Sequence, residues 1–384
     1  MPIKVVTDVS EFEHLCERWN SLVETSAYPN IFTTWEWSFL WWKHFGHTVG
    51  QRDGTLFILL VESDTPDGEL LAIFPLYRTG NDRFLYWIGY GARPCPEYLG
   101  PIIRHDAIDV SVQTVCDFLL KDAGSWDRLF FEDYALDDPG TLAFACLLKQ
   151  MFPFQAVPGE ARYYINLPDS YDAYLKTLSK HNRKNKKTRL NKSRSTFHAT
   201  TEVMAIADLE RGFQILLDLS TQSRLRSRQA SPYLQENYRG FHKEILETLL
   251  PMNRVTLFLL KYSDVPVGIW FNYTLNHKCY AVQQGCASDC EGSPGDVTLQ
   301  NLLIHLIDNQ MTEFDFLRGG EWYKSAYTET MRETETLSVY RVKNIVFFRD
   351  WVVKQILKPI KRSIKFLIVR LFKTMQLGKQ GDLI

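Results

Sequence analysis

Apolar and polar positions fall in the same order twice along the chain. The first pass has apolar runs at Thr55–Val61 and Leu70–Tyr77, separated by a polar turn through Asp67 and Gly68. A third run, Phe84–Tyr90, leads into the Gly/Pro-rich loop Gly91–Pro101, a helical periodicity at Ala107–Lys121 and an apolar strand at Trp126–Asp133. The second pass has runs at Val255–Lys261 and Val267–Tyr273 around a turn at Ser263–Pro266. Lys278–Gly285, the loop Cys290–Gly295, a helix over Val297–Gln310 and a buried strand at Phe314–Arg318 follow. Each pass reads as hairpin, long strand, glycine loop, helix, buried strand. Closely spaced runs predict antiparallel hairpins, and a helical crossover predicts a parallel neighbour. The expectation is a mixed, mostly antiparallel α/β (α+β) sheet flanked by helices, used twice.

Between the two passes, Tyr171–Leu190 and Ala207–Leu225 carry apolar residues at helical spacing, with Asp169–Ser170 as a cap for the first. Tyr238–Leu250 predicts another helix, stopped by Pro251. The breakers Pro153, Pro158, Gly159 and Pro168 mark a linker. The expected organisation is one domain over residues 1–155, a second over 156–340 and a tail over 341–384.

With 384 residues, 45% hydrophobic and 23% charged, the chain has apolar material for two cores, which excludes global disorder. Lys plus Arg is 44 and Asp plus Glu is 45, so no global field selects nucleic acid or an anionic membrane. The charge is uneven, however. Arg341–Met375 holds ten Lys/Arg and one acid, interleaved with aromatic and aliphatic residues and interrupted by Pro359. Such a basic amphipathic helical tail suits an anionic membrane surface over residues 345–375, or else packs on the acidic remainder of the protein. Lys180–Arg194 holds eight Lys/Arg and no acid. It is either a solvated helix face or a patch for polyphosphate, RNA or anionic lipid, with Arg183 and Lys184 as candidate substrate-binding residues.

Seven scattered cysteines argue for a reducing compartment. Cys286 and Cys290 form a C-x₃-C pair with no partner at zinc-site spacing, so no metal is expected. The N-terminus lacks the pattern of a signal peptide, and no apolar stretch is long enough to span a membrane. A cytoplasmic protein is expected, peripheral on the inner face of the membrane if the tail binds lipid.

No G-x-S-x-G, H-E-x-x-H, G-x-G-x-x-G or phosphate-loop frame is present, which removes nucleophile-elbow, zinc-protease, dinucleotide and nucleoside-triphosphate readings. Two constellations remain. Glu291–Asp296 joins a strand to a helix start, and glycines there allow close backbone approach to a phosphate. Its candidates are Gly292, Ser293, Gly295 and Asp296; the alternative is a plain turn capped by Ser293 or Asp296. Phe314–Lys324 runs a buried strand into two glycines and then acid, aromatic and basic groups: Asp315, Arg318, Glu321, Tyr323 and Lys324. The alternative is an Asp315–Arg318 pair and a surface lysine.

Leu178–Lys187, Ser223–Arg228, Val267–Ile269, Ser293–Gly295 and Phe314–Lys324, in that order, resemble the BioF2-like acyltransferase domain of the GNAT superfamily. Its relatives include the CelD/BcsL-type proteins of polysaccharide loci and, more distantly, the Fem aminoacyltransferases. Phe32–Trp37 and Trp41–Gly46 also look like this family. The resemblance implies tandem GNAT-like domains and an acetyl-CoA or other acyl-CoA co-substrate. Its pyrophosphate would lie over Gly292–Asp296 and its pantetheine arm along Tyr280–Gly285, which brings in Gln284 and Gly285. The implied activity is N-acyl transfer to an amine of a sugar or of a cell-envelope or exopolysaccharide precursor. Under it, Glu321 is the candidate base, Asp315 the second, and Tyr323 or Tyr280 the acid for the leaving thiolate. Arg318 and Lys324 would grip an acidic acceptor. The first domain would do no chemistry and shape the acceptor groove through Glu97 and Tyr98. Two alternatives stand beside this. The Lys180–Arg194 run favours a Fem-like, aminoacyl-tRNA-dependent transferase. The absence of the usual GNAT phosphate loop at Gln284–Ala287 favours a non-catalytic, membrane-associated scaffold in polysaccharide biosynthesis.

Overall fold

The computed structural model describes residues 1–46, 54–65, 68–79, 83–91, 96–122, 124, 126–226, 230–319, 323–343 and 345–352. Its strands are β1 (Ile3–Val6), β2 (Gly54–Glu62), β3 (Leu70–Thr79), β4 (Phe84–Trp87), β5 (Ile102–Ile103), β6 (Arg128–Ala135), β7 (Phe154–Pro158) and β8 (Arg162–Asn166), followed by β9 (Ala199–Val203), β10 (Val255–Tyr262), β11 (Val265–Leu275), β12 (Lys278–Cys286), β13 (Glu313–Asp315), β14 (Met331–Arg332) and β15 (Thr334–Tyr340). The helices are α1 (Val9–Glu13), α2 (Cys16–Thr25), α3 (Trp35–Phe45), α4 (Ile108–Lys121), α5 (Pro139–Met151), α6 (Tyr171–Thr177), α7 (Lys180–Thr196), α8 (Leu209–Arg226), α9 (Glu236–Leu249), α10 (Pro294–Asp308) and α11 (Ile345–Val352).

Two sheets share one design. The first runs β1-β2-β3-β4-β6-β15-β7, with β5 on β3; the second runs β9-β10-β11-β12-β13-β8-β14. In each, four antiparallel strands meet one parallel neighbour, β6 on β4 and β13 on β12, reached through a crossover helix, α4 or α10. Two further antiparallel strands complete each sheet. The hydrophobic repeat in the sequence is therefore a repeat of topology.

The strand beside each parallel strand comes from elsewhere in the chain. β15 enters the first sheet, where Leu337 and Val339 alternate into the core with Leu129 and Phe131. β8 enters the second sheet, where Ile165 packs with Phe314. The chain therefore does not divide at residue 155, because Phe154–Pro158 and Thr334–Tyr340 both belong to the first sheet. The prolines of the expected linker delimit strands: Pro158 ends β7, and Pro168 follows β8.

The helix expected over Tyr171–Leu190 is two. Ser170 Oγ caps α6 by accepting from Ala173 N–H, as the sequence suggested. Ser179 Oγ then accepts from Asn182 N–H at 3.3 Å and starts α7 on a new axis, after an extended Leu178.

The halves share an apolar core. Trp37 and Phe45 of α3 lie against Phe241 of α9, with ring centroids 5.6 and 5.7 Å apart, and Phe32 meets Tyr273 and Tyr280 at 5.8 and 5.7 Å. Beside it lies a buried ionic knot around Arg332 of the two-residue β14. Its guanidinium donates to Asp315 Oδ2 at 2.8 Å, Glu313 Oε2 at 3.1 Å and Asp137 Oδ2 at 2.6 Å. It also faces the rings of Tyr98 and Tyr164 at 5.4 and 4.6 Å. Removing one partner of such a pair strands the other charge, at a cost of about 3–5 kcal/mol. Arg332→Met is accordingly expected to lower unfolding stability by about 3–5 kcal/mol in urea titrations; a loss under about 1 kcal/mol would show that the knot is structurally idle.

Candidate active site

β12 extends to Cys286, but β13 accompanies it only as far as Tyr280, which pairs with Asp315. The chain then turns away through Leu317, which has a left-handed φ of 57° and donates its N–H to Asp315 Oδ1 at 2.7 Å. Among the described residues, the edge of β12 from 281 to 286 is left without a strand on that side. Val282 is the extra residue of a bulge, since Phe271 faces Gln283 and Asn272 faces Ala281.

Three cavities follow this edge. The first, about 580 Å³, lies between α7, the end of α8, Gln284 and Cys286 of β12, and the start of α10. The second, about 360 Å³, runs along Ala281–Gln284, and the third, about 210 Å³, reaches Glu97 from the first half of the chain. Ser223, Gln284 and Tyr323 line the first two; Arg224, Val282 and Arg318 line the last two. These shared walls join the cavities into one channel.

At the first cavity, α10 begins on Ser293 in a left-handed conformation (φ 56°, ψ 57°), whose side chain makes no capping bond. Gly295 lines the cavity, and a Cβ there would meet only the Cys286 side chain, Sγ at 3.7 Å and Cβ at 4.0 Å. Asp296 pins α7 to α10: its carboxylate accepts from Lys186 Nζ at 3.1 Å, Tyr327 OH at 2.6 Å and Gln300 Nε2 at 2.8 Å, and pairs with Arg189 at 3.3 Å. Burial pushes the Asp296 carboxyl up, but Lys186, Tyr327 and Arg189 together hold it below the usual range. Lys186 is itself buried, and loss of hydration pulls its pKa down to about 8 against the pull of Asp296. Its ammonium also sits 3.0 Å from the Tyr327 ring centroid. With Arg189 and Arg226 also on the wall, the cavity carries an excess of cations.

The channel brings together Gln284, Gly295, Asp296, Arg318, Tyr323, Lys324 and Glu97 of the expected residues. Asp296 is there as the partner of protein donors. Tyr323 OH lies 3.4 Å from Gln284 Nε2. Arg318 pairs with Glu97 at 3.2 Å and Glu132 at 3.1 Å, not with Asp315.

Other expected residues have different roles. Asp315 is fully buried against Arg332, Tyr98 OH and Leu317 N–H, so it cannot reach a substrate as a base. Tyr98 is buried with it, and so does not border a groove. Tyr280 is turned into the core beside Phe32 and is no acid for a leaving group. Lys324 lines the second cavity, but its ammonium is buried on the carbonyls of Phe316, Leu317, Arg318 and Gly319 at 2.8–3.3 Å and so holds the loop after β13. Arg183 bonds the carbonyl of Leu178, and Lys184 is an exposed residue off the channel wall. Gly285 packs on α8, where a Cβ would lie 2.5 Å from Ser220 N, and Gly292 packs on the Phe197 ring. Glu321 lies outside the described residues, as does the tail beyond residue 352.

The face of α7 that lines the cavity is His181, Asn182, Asn185, Lys186 and Arg189. The spacing of one helix face was the available signal for it. Ser223 and Arg226, on the last turn of α8, had no signal beyond the Ser223–Arg228 resemblance. Among the described residues, no group of three His, Cys, Asp or Glu is placed to hold a metal ion, and no helix is long and apolar enough to cross a membrane.

Lys186 carries a pH signature. Its folded pKa of about 8 lies below the unfolded value of ~10.4, so the unfolded chain holds the proton more tightly. The penalty for burying the ammonium is complete below pH 8 and is relieved as pH rises towards ~10.4. Urea unfolding from pH 7 to 10.5 should show wild type gaining stability relative to Lys186→Met above pH 8; a constant difference would contradict the assignment.

Residues 180–325 match the family model described as an acetyltransferase (GNAT) domain. FemX has a similar fold, with a TM-score of 0.59 at 10% identity over 88% of this chain and 97% of that one. L-PGS from Bacillus licheniformis gives 0.53 at 13% identity, over 88% and 96%. A conserved protein of unknown function from Bacteroides thetaiotaomicron VPI-5482 gives 0.54 at 11% identity, over 88% and 99%. No curated protein matches the chain in sequence. The chain thus shares its fold with FemX and L-PGS, and residues 180–325 carry the expected match to a GNAT domain.

Proposed function

We propose that the chain is an acyltransferase that moves an acyl group, acetyl or longer, from an acyl-coenzyme A to the amine of a sugar or cell-envelope precursor. One observation carries this reading. The free edge of β12 from 281 to 286 leads into a cationic cavity at the start of α10. A strand edge offers alternating N–H and C=O groups to an amide-bearing arm, and a helix start beside Lys186, Arg189 and Arg226 suits a diphosphate. The bulge at Val282 spreads the ladder where the thioester would lie. In the reaction, the amine lone pair forms the C–N bond and the C–S bond breaks with its electron pair going to sulfur. The amine gives up one proton, for which Glu321 remains the proposed acceptor, and the thiolate takes one from Tyr323. Arg224 and Arg318, at the junction of the second and third cavities, support an acceptor that carries an acid group.

Thermal unfolding tests the donor. A ligand at a hundred times its dissociation constant stabilises by about 2.7 kcal/mol. Acetyl-CoA or a longer acyl-CoA is expected to raise the melting temperature. Gly295→Glu, which has room for its Cβ but places a carboxylate at the helix start, is expected to fold and to lose that shift. No shift with any coenzyme A ester would defeat the reading.

A Fem-like, aminoacyl-tRNA-dependent transfer is the second reading. It is favoured by the exposed flank of α7, where Lys180, Lys184, Lys187, Lys192 and Arg194 extend the cationic surface beyond the cavity. It predicts RNA binding that weakens steeply with salt, by about 0.7–0.9 in the log–log slope per phosphate contacted; filter binding at several salt concentrations separates it from the first.

A further inference from the structure

The third cavity has walls of both charges, supplied by both halves of the chain. Glu97, only 3% exposed, comes from the first half; Arg224 comes from α8, and Arg318 from the loop after β13. Glu97 Oε2 accepts from Arg162 Nε at 2.6 Å, and Oε1 from Arg318 Nε at 3.2 Å. The second Arg162 nitrogen also lies 2.5 Å from Oε2; of the about four acceptor sites of a carboxylate, Glu97 therefore keeps one, on Oε1. Arg318 is shared with a second carboxylate, Glu132, at 3.1 Å. Phe32, Trp37 and Tyr238 supply apolar walls. At about 210 Å³ the cavity lies below the ~300–1,000 Å³ usual for drug-sized ligands.

A small volume, a buried carboxylate, an arginine and aromatic walls together select for charge of both signs on one small molecule. We propose that the acceptor is a small amine that also carries an acid group. Its ammonium is held by Glu97, its carboxylate or phosphate by Arg224, and its carbon skeleton by the rings. This rests on the acyltransferase reading and narrows its acceptor. Neither a plain amine nor a plain acid uses both walls. The amine binds as the ammonium and releases one proton to solvent before it attacks, the second going to Glu321 as the C–N bond forms, so Glu97 acts here as a positioning and binding group.

Isothermal titration calorimetry of the full chain, with no donor present, tests the proposal with two matched pairs. These are L-phenylalanine against phenethylamine, and glucosamine 6-phosphate against glucosamine. The acid-bearing member of at least one pair is expected to bind at least tenfold more tightly, and the pair that responds distinguishes carboxylate from phosphate. Arg224→Gln is expected to erase the difference. The ratio within a pair is the readout, because general loosening of the cavity weakens both members alike. Equal affinities within both pairs, or no heat from any of the four compounds, overturn the proposal, and the wild-type result stands even if the variant does not fold. Acetyl-CoA titrated alongside reads the donor separately. Binding of acetyl-CoA without preference within the pairs removes only this inference. Preference without acetyl-CoA binding supports it and removes the coenzyme.

Discussion

The channel depends on where the Arg332 guanidinium is held. β14 is two residues long and has little ladder of its own, so its position is set by side-chain charge. Arg332 binds Asp315 and Glu313 of β13 and Asp137 of the first half, and Asp315 in turn fixes Leu317 N–H and Tyr98 OH. From there the loop is carried by Lys324, whose ammonium gathers four successive carbonyls. Apolar packing would bury the same volume, but it has no direction. Buried charges demand particular partners at particular distances, because an unpaired one is so costly. The departure of the chain from the edge of β12 is thereby held to one path.

The first half of the chain takes part in that constraint. Glu97, Tyr98 and Asp137 all come from it, and each reaches a group at the end of β13 or on β14. The first half was expected to shape an acceptor groove through Glu97 and Tyr98. It supplies a carboxylate to the channel and two groups that hold the wall.

The order of elements was legible because buried strands and amphipathic helices leave different periods in the chain. What those periods omit is partnership. Thr334–Tyr340 was not marked as a strand, and nothing in its residues says that it pairs with β6 and not with β13. The same limit applied at the site. Eight cations in Lys180–Arg194 read as one surface, whereas burial singles out Lys186, which faces Asp296 with a lowered pKa. Asp315 and Lys324 read as surface chemistry because aspartate and lysine are seldom fully buried. Their partners, Arg332, Tyr98 and a run of carbonyls, are assembled only by the fold. Gly295 and Tyr323, which line the channel, lie beside element ends, where backbone groups open towards ligands, whereas Gln284 was expected only through the family resemblance.

The exchange of strands has a consequence for how the protein is made. β6 ends at Ala135, but its neighbour β15 begins at Thr334, about 200 residues later. At ribosomal rates of ~5–20 residues per second, the edge of β6 waits about 10–40 s for its partner. β7 is synthesised early and pairs only with β15 among the described strands, so it waits as well. Throughout that interval an apolar strand edge faces the cell, which is the surface most prone to pairing with another chain. The first sheet is complete only once β15, the last strand of the chain's described residues, has been made.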